Sequence, residues 1–266
     1  IKESFNIAAT DLPSGTTIQF KPDSEIFKEG IKYDIEKLKP LVSELSFLTP
    51  GMIFELQEGK KKPIIIKSEN GISDFLDDLN KKNKIITSKF LAETFEDNIG
   101  VKVGLVYNDS FSDTYRLFTN LIPNVAGTHL TGFRTALTQS INEYAKTSGF
   151  LKDKDNNFTG EDLKEGLTLV LSLFMPDPVF SGQTKDTLTS SEIRGIVQRL
   201  VSQELKSWLQ VHPNDAKAII NKASLARKAR ENARKAKEVT RKVSAKTRVI
   251  LPGKLADCSS KNRSEC

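Results

Sequence analysis

Few side chains in this sequence could carry chemistry, and the most informative of them lie in one loop. Gln183, Thr184 and Lys185 follow Gly182 in the stretch SGQTKDTLT, between a predicted strand and a predicted helix. A lysine ammonium is a compact positive charge that suits a phosphate group, and a glutamine amide adds a hydrogen-bond donor. The loop is thus a candidate phosphate-binding site. The residue types alone leave an ordinary solvated loop as the competing interpretation, because many surface loops hold a lysine.

Other candidate catalytic groups have simpler structural explanations. His129 follows a Gly-Thr pair at a predicted helix start, where we expect a capping or core histidine with satisfied hydrogen bonds rather than a general base. Glu161, Asp162 and Glu165 are close in sequence, but the first two stand where acids favour the N-terminus of a helix. We therefore interpret them as helix-start residues and not as an acid/base pair.

Cysteines and histidines are too few for a zinc site or a disulfide framework. The chain has two of each, namely Cys258, Cys266, His129 and His212. This usage predicts a reducing, cytoplasmic compartment, and no apolar run approaches the ~20 residues that a membrane-spanning helix needs. With 266 residues, of which 38% are hydrophobic, the chain can form one large or two modest domains. Its start at Ile1 rather than Met predicts a piece of a longer protein.

The longest periodic stretch of the chain is 214–248. Small apolar residues recur there every three or four positions, which predicts one long helix that begins after Pro213. Lys and Arg occupy 12 of its positions, so the net charge of the chain, +6, comes from this segment. Two interpretations compete: a solvated connector whose alanine stripe packs on a neighbour, and a basic rod that binds nucleic acid by releasing counterions.

Residues 1–70 resemble the end of a domain rather than a complete one. The β-branched and aromatic stretch 15–21 predicts a strand, and helical spacing of Leu and Ile predicts a helix over 34–48. Two short strands, from 52 and from 63, are predicted on either side of a Gly-Lys-Lys-Lys turn. So few strands bury too little apolar surface for an independent core.

Residues 71–212 mix strands and helices. A short helix (72–79) and a polar, lysine-rich link lead to two alternating strands, 101–107 and 115–122, which we expect to pair as an antiparallel hairpin. A helix from His129, a helix start at 160–162, a buried strand from Leu167 and a helix ending near Leu209 complete the block. Thr189 and Glu192 have the spacing of a capping box that opens the last helix. The order of elements predicts a two-layer α+β domain.

Seven short blocks of the sequence are distinctive. They are GTTIQFKPD at 15–23, ELSFLTPG at 44–51, GTHLTGFRTALT at 127–138, GEDLKEGL at 160–167, GQTK at 182–185, ARKARENARKAKEVTRK at 226–242 and LPGKLADCSS at 251–260. In this order, and over nearly the whole chain, they resemble the ATPase subunit of bacterial type IIA DNA topoisomerases, most closely the DNA gyrase B form. The gyrase form is favoured over the topoisomerase IV form by the LPGKLADC and GTHLTGF blocks.

The resemblance implies a division into four parts. Residues 1–70 correspond to the C-terminal part of a GHKL-type ATPase domain, and 71–212 to a transducer domain. The transducer fold is similar to domain 2 of ribosomal protein S5, with a left-handed βαβ crossover. Residues 213–248 correspond to the long connector helix of the transducer, and 249–266 to the start of a TOPRIM domain.

The resemblance also implies roles for four residues. In this family the lysine of the QTK loop contacts the γ-phosphate of ATP, with the glutamine beside it, which points to Lys185 and Gln183. The threonine of the GT-strand motif lies beside the adenine pocket, which implies that Thr16 lies there in this chain. The arginine of the GF-Arg helix faces the cavity that the transported DNA segment crosses, which implies a DNA-facing Arg134.

Cofactors and partners follow from the same resemblance. ATP would bind in a site completed by upstream residues, and the Mg²⁺ ligands and the hydrolytic glutamate are expected before Ile1, so the chain alone is expected to be inactive. The expected partners are double-stranded DNA, the gyrase A protein in an A2B2 heterotetramer, and a second gyrase B chain that dimerises with the first on ATP binding. The ATPase chain of a topoisomerase IV and a non-enzymatic S5-like nucleic-acid-binding module are the alternatives.

Overall fold

One five-stranded sheet organises the packing of this chain. The computed structural model describes residues 14–28, 33–152 and 154–247, so Cys258, Cys266 and the predicted TOPRIM segment lie outside the described residues. The helices are α1 (Ile35–Leu48), α2 (Ile72–Leu79), α3 (Thr128–Thr147), α4 (Gly160–Lys164), α5 (Ser191–Val211) and α6 (Pro213–Thr247). The strands are β1 (Phe54–Leu56), β2 (Ile64–Ile66), β3 (Phe90–Glu96), β4 (Ile99–Tyr107), β5 (Thr114–Thr119), β6 (Ile122–Asn124), β7 (Ala126–Gly127), β8 (Leu167–Phe174) and β9 (Thr187–Leu188).

The large sheet has the order β3-β4-β8-β5-β6. β4 is antiparallel to both β3 and β8, whereas β5 is parallel to β8 and antiparallel to β6. Asp97 and Asn98 have positive φ values of 51° and 62° and form the two-residue turn between β3 and β4, a geometry that matches the twist of paired strands. The parallel neighbours β5 and β8 are connected through α3 and α4. This mixed arrangement confirms the predicted α+β fold class.

The predicted hairpin between the strands at 101–107 and 115–122 is wrong. β4 and β5 do exist, but β8 lies between them and pairs with both. The reason is the composition of β8: seven of its eight residues, LTLVLSL, are buried. A strand that is apolar on both faces is most stable in the centre of a sheet with layers on both sides. Proximity in sequence was therefore a poor guide to pairing.

Strand β3 lies in the stretch that the sequence suggested was a polar link. Its residues alternate: Phe90 packs in the core, whereas Leu91 and Phe95 on the opposite face are 50% and 75% exposed. The surrounding lysines hide this short alternation in the sequence. The strand forms because it can complete the ladder of β4 over its whole length.

The two faces of the sheet are covered by different helices. α3 and α5 cover one face, where the main core consists of side chains from five strands and four helices, including Val103, Leu105, Leu117, Leu169, Phe133, Ile141, Val197, Leu205 and Ile219. α2 and the end of α1 cover part of the other face with a second, smaller cluster, including Leu48, Phe75, Leu76, Val106, Phe118 and Val170. Within the described residues, no helix is both long and apolar enough to cross a membrane.

The N-terminal block has the predicted helix and hairpin but lacks the predicted strand. The Asp34 side chain caps α1 by accepting a hydrogen bond from the Glu36 N–H, and β1 and β2 pair as an antiparallel hairpin. Residues 15–21 form no strand; Ile18 and Phe20 are 80% and 66% exposed. A strand needs a neighbour for its backbone hydrogen bonds, and no described strand pairs with this segment.

The predicted capping box at Thr189 and Glu192 is also wrong, since α5 begins one residue later. Ser190 is the N-cap residue. The Thr189 hydroxyl donates to the Val179 carbonyl at 3.0 Å, and the Ser190 hydroxyl accepts from the Val179 N–H at 3.0 Å. Both hydroxyls thus fix the loop after β8 instead of capping the helix. A capping box does form at Thr159 and Asp162, which confirms the predicted helix start at 160–162.

Helix α6 is 35 residues long, but only its first half packs on the domain. Ala216, Ile219, Ala223 and Ala226 are buried. From Ala229 to Val239 the small residues of the same stripe are exposed. The alanine stripe therefore packs on the domain, as one of the two interpretations expected, but only over the first half of the helix.

Polar contacts hold α6 where its apolar contact ends. The Arg230 guanidinium donates two hydrogen bonds to the Asp162 carboxylate, at 2.9 and 3.0 Å, and the Lys222 ammonium donates to the Ser110 carbonyl at 2.8 Å. Asp162 also accepts from the backbone N–H and the hydroxyl of Thr159. Burial alone would raise the pKa of Asp162, but these hydrogen bonds outweigh it and lower the pKa. One carboxylate therefore caps α4 and anchors α6.

His129 is a core residue, as expected, but its hydrogen bonds are not satisfied. Its side chain is 0% exposed, and neither ring nitrogen has a hydrogen-bond partner among the described residues. Burial lowers the pKa of His129 to about 4. A neutral imidazole in this environment is a packing residue, not a base that exchanges protons with a substrate.

We expect Arg230→Ala to lower the free energy of unfolding by about 2–3 kcal/mol, because the buried Asp162 carboxylate loses its bidentate partner. Arg234→Ala is the matched control on the same helix: its pair with Glu238 spans 3.7 Å between exposed side chains and is worth less than about 0.5 kcal/mol. Urea unfolding measures both. Equal losses would show that the Arg230–Asp162 contact does not anchor α6.

The stability of the fold should fall in acid through His129. A histidine whose folded pKa is near 4 binds a proton more readily in the unfolded chain, where the pKa is about 6.5. The contribution of neutral His129 to the free energy of unfolding is complete above about pH 6.5 and is lost as the pH falls toward 4. At pH 5 the free energy of unfolding is lower by about 2 kcal/mol. The leucine variant, His129→Leu, should lack this component. Urea unfolding at pH 7.5 and pH 5 measures how much stability the parent and the variant each lose in acid. The two losses would be equal if His129 were protonated in the folded chain.

Candidate functional site

The QTK loop, residues 182–185, has a backbone fixed by hydrogen bonds and side chains exposed to solvent. The Lys185 N–H donates to the Gly182 carbonyl at 3.1 Å, and the Lys185 carbonyl accepts from the Asn124 side-chain amide at 2.8 Å. Gln183 and Lys185 are both exposed. Among the described residues, no carboxylate lies within ion-pair distance of the Lys185 ammonium. The loop therefore presents an amide and a free cation on a fixed backbone.

Lys185 has a backbone conformation that is uncommon for its residue type. Its φ is 59°, in the left-handed region that non-glycine residues seldom adopt. The two hydrogen bonds of its backbone stabilise this conformation. Such a conformation is typical of functional loops whose geometry is imposed by the surroundings.

A short parallel ladder holds the C-terminal end of the loop. Strand β7 pairs with β9, with Ala126 opposite Thr187 and Gly127 opposite Leu188. The Val125 N–H donates to the Asp186 carbonyl at 2.8 Å. Since β7 leads directly into α3, the loop that carries Lys185 is joined to the start of that helix.

Gly127 allows this ladder to approach His129. A Cβ atom at Gly127 would lie 2.6 Å from His129 Nδ1 and 2.8 Å from the Leu188 carbonyl oxygen. The φ of Gly127 is 153°, which also favours glycine. The adjoining Thr128 hydroxyl donates to the Ser190 carbonyl at 2.7 Å and ties α3 to the start of α5. Residues 127–129 thus fix the backbone beside the loop that carries Lys185.

Asn124 is the residue that sequence analysis missed. Its amide nitrogen donates to the Lys185 carbonyl, and its amide oxygen accepts from the Thr119 hydroxyl at 2.6 Å. Thr119 belongs to β5 and is fully buried. A chain of hydrogen bonds therefore runs from the loop into the sheet. The only sequence signal was an Asn in the turn-like stretch 123–127, which has no specific meaning by itself.

Among the residues that the structure describes, no hydrogen bond joins Thr16 to the loop. It is exposed in the irregular segment 14–28, whose hydrogen bonds, at Glu25 and Phe27, stay within the segment. The role expected of Thr16 beside an adenine remains a prediction.

Arg134 lies on the exposed side of α3, roughly 9 Å along the helix axis from its N-terminus. Its guanidinium is 5.2 Å from the centre of the Tyr115 ring, a contact that restricts the side chain. Burial, followed by the nearby Asp113, raises the pKa of Tyr115 to about 12, so the phenol is neutral at physiological pH. Arg134 is accordingly a positioned surface cation.

Metal ligands are missing from the described part of the chain: residues 14–28, 33–152 and 154–247 contain no group of three His, Cys, Asp or Glu side chains that could hold an ion. The loop can supply positive charge and hydrogen-bond donors to an anion.

The sequence of this chain is similar to those of known proteins over nearly its whole length. The chain is 43% identical over 256 residues to the DNA gyrase B protein of Clostridium acetobutylicum, which covers 95% of this chain and 40% of that protein. It is 40% identical over 263 residues to the gyrase B protein of Campylobacter jejuni, covering 98% of this chain and 34% of that protein. The chain thus spans about 40% or less of the length of these two curated relatives.

Solved structures agree in fold. The 43K ATPase domain of Thermus thermophilus gyrase B, in complex with an aminocoumarin, superposes with a TM-score of 0.70 at 32% identity, over 82% of this chain and 59% of that one. The topoisomerase IV ATP-binding domain of Francisella tularensis, in complex with a small-molecule inhibitor, gives a TM-score of 0.63 at 25% identity, over 76% of this chain and 55% of that one.

A family match covers the sheet, the QTK loop and most of α6. The family model of DNA gyrase B matches residues 71–239, which is more than half of the 266 residues. Together with the relatives at 40% identity and above, this match shows that the chain belongs to the DNA gyrase B family.

Proposed function

We propose that this chain is the energy-transducing part of an ATP-dependent type IIA DNA topoisomerase of the gyrase kind, in which Lys185 contacts the γ-phosphate of ATP. The observation that carries the proposal is the fixed backbone of the QTK loop with its exposed ammonium. Gln183 would add a donor beside it, and Thr16 would lie near the adenine. The remaining ATP-binding residues, the hydrolytic glutamate and the Mg²⁺ ligands would come from the rest of the protein.

The role of Lys185 is electrostatic and depends on the nucleotide. A cation near the γ-phosphate stabilises the negative charge that shifts onto it during transfer. Its partner exists only while ATP is bound and is lost after hydrolysis and phosphate release. The loop therefore has two states with different contacts, which is what a switch element requires.

Movement of the loop would reach α6 through rigid connections. The Asn124 amide links Lys185 to the buried β5, and the Thr128–Ser190 contact links α3 to α5. Between α5 and α6 only His212 intervenes, and its ring stacks on Trp208 at 4.8 Å. Because one residue separates α5 from α6 and Arg230 bonds Asp162, a shift of the domain would move the exposed end of α6.

We further propose that the exposed cations face DNA. Arg134 is held on Tyr115, and the second half of α6 is rich in exposed Lys and Arg. Positive charge without base-reading geometry suits a space that DNA of any sequence passes through. The whole enzyme would act in the cytoplasm, pair with gyrase A proteins as an A2B2 assembly, and dimerise through its gyrase B chains when ATP binds.

Replacing Lys185 tests the proposed contact. In the full-length enzyme, Lys185→Ala should lower ATP turnover and supercoiling by about tenfold or more, because a charge-assisted hydrogen bond to phosphate is lost. Lys60→Ala is the matched control, since Lys60 is an exposed lysine in the β1–β2 turn. Turnover and supercoiling that remain equal in the two variants would remove Lys185 from the ATP site.

Replacing Arg134 tests the proposed DNA-facing surface. We expect Arg134→Ala to weaken binding of double-stranded DNA and to reduce the slope of log K against log salt by about 1. Arg116→Ala is the control, because Arg116 Nε pairs with Glu44 Oε1 at 3.2 Å on the other face of the sheet. Fluorescence anisotropy at several salt concentrations gives both slopes; the same change in both variants would contradict a specific role for Arg134.

A further inference from the structure

A cavity opens on the face of the sheet opposite α3 and α5. It has a volume of about 280 Å³ and lies between the end of α1, the start of α2 and strands β3, β4 and β8. Phe47, Leu48, Ile72 and Leu91 form its apolar walls. Phe47 stacks on Phe75 at 4.9 Å, which holds one aromatic wall in place. The space exists because α2 is only eight residues long and leaves the ends of these strands uncovered.

Ser172 lies at the floor of the cavity with an unused hydroxyl. Its side chain is 2% exposed, and its Oγ has no hydrogen-bond partner among the described residues. A buried hydroxyl without a partner costs free energy, so such a group usually meets a ligand or a solvent molecule. β8 cannot turn Ser172 away, because the strand is bonded on both sides.

The other polar side chains around the cavity already have partners. The Asn70 amide donates to Asp74 at 3.0 Å, and the Ser73 hydroxyl accepts from the Lys89 ammonium at 3.0 Å. Lys102 and Glu93 pair with each other at 3.3 Å, so their charges cancel at the rim. The cavity therefore offers apolar walls, no net charge and one free hydroxyl.

From these features we infer a second small-molecule site, which takes a neutral, flat and mostly apolar molecule with one polar group that hydrogen-bonds Ser172. The volume suits a bicyclic aromatic molecule, because an engineered apolar cavity of about 150 Å³ binds benzene. Such a ligand would touch α1 and α2 together with the sheet, and would strengthen the contact between residues 35–50 and the transducer. The site is independent of the proposed ATP contact of Lys185.

Indole is a suitable probe, because it is bicyclic and neutral and carries a single N–H donor. Titration of the 266-residue chain with 5-fluoroindole, followed by ¹⁹F NMR, should show saturable binding with a Kd below about 1 mM. Ser172→Ala should weaken binding about three- to tenfold through loss of the hydrogen bond. Ser140→Ala is the matched control, since Ser140 Oγ is equally buried and unpartnered among the described residues but does not line the cavity.

A second variant keeps the test decisive if the serine substitution disturbs folding. Leu91 is half exposed at the rim of the cavity, so Leu91→Trp should fill the space without disturbing the core. It should abolish indole binding while the unfolding midpoint stays within a few degrees. Absence of saturable binding up to about fivefold above the expected Kd, or undiminished binding by Leu91→Trp, would overturn the inference.

Discussion

The burial of β8 on both faces is the constraint on which the rest of the structure depends. Seven of its eight residues are buried, so the strand must lie inside the sheet with helices above and below it. That position separates β4 from β5, and each of these two strands pairs with one edge of β8. It also requires α3 and α5 on one face and α2 with the end of α1 on the other. The loop that follows β8 therefore lies next to the start of α3.

Polar contacts then join this apolar framework to the loop that carries Lys185 and to α6. The loop carrying Lys185 is connected to the sheet through Asn124, and α6 is connected to α4 through Arg230 and Asp162. Such contacts have definite geometry, so they fix the position of the loop and of α6 relative to the sheet. The apolar core supplies stability, while these few hydrogen bonds determine how the loop and the long helix are placed relative to it.

Local sequence patterns predicted most of the helices and long strands but not the order of the strands in the large sheet. Helices α1, α2 and α3 and the strands β4 and β8 follow from helical or alternating periodicity, which depends on near neighbours only. The predicted hairpin of β4 and β5 was wrong because β8, more than 40 residues later, competes for the same edges. The capping box at Thr189 was wrong because its hydroxyl bonds Val179 instead. Tertiary contacts overrode the local preference in both cases.

The sequence by itself determined the α+β class, the long basic helix and the family, and it predicted a role for the loop residues Gln183 and Lys185. Only the tertiary structure decided what holds that loop, that half of α6 extends away from the domain, and that Ser172 lies in a cavity with no partner among the described residues. The physical reason is distance along the chain: Asn124 and Lys185 are 61 residues apart. Hydrogen bonds over such separations exist only after the sheet order is established, and residue spacing does not encode that order.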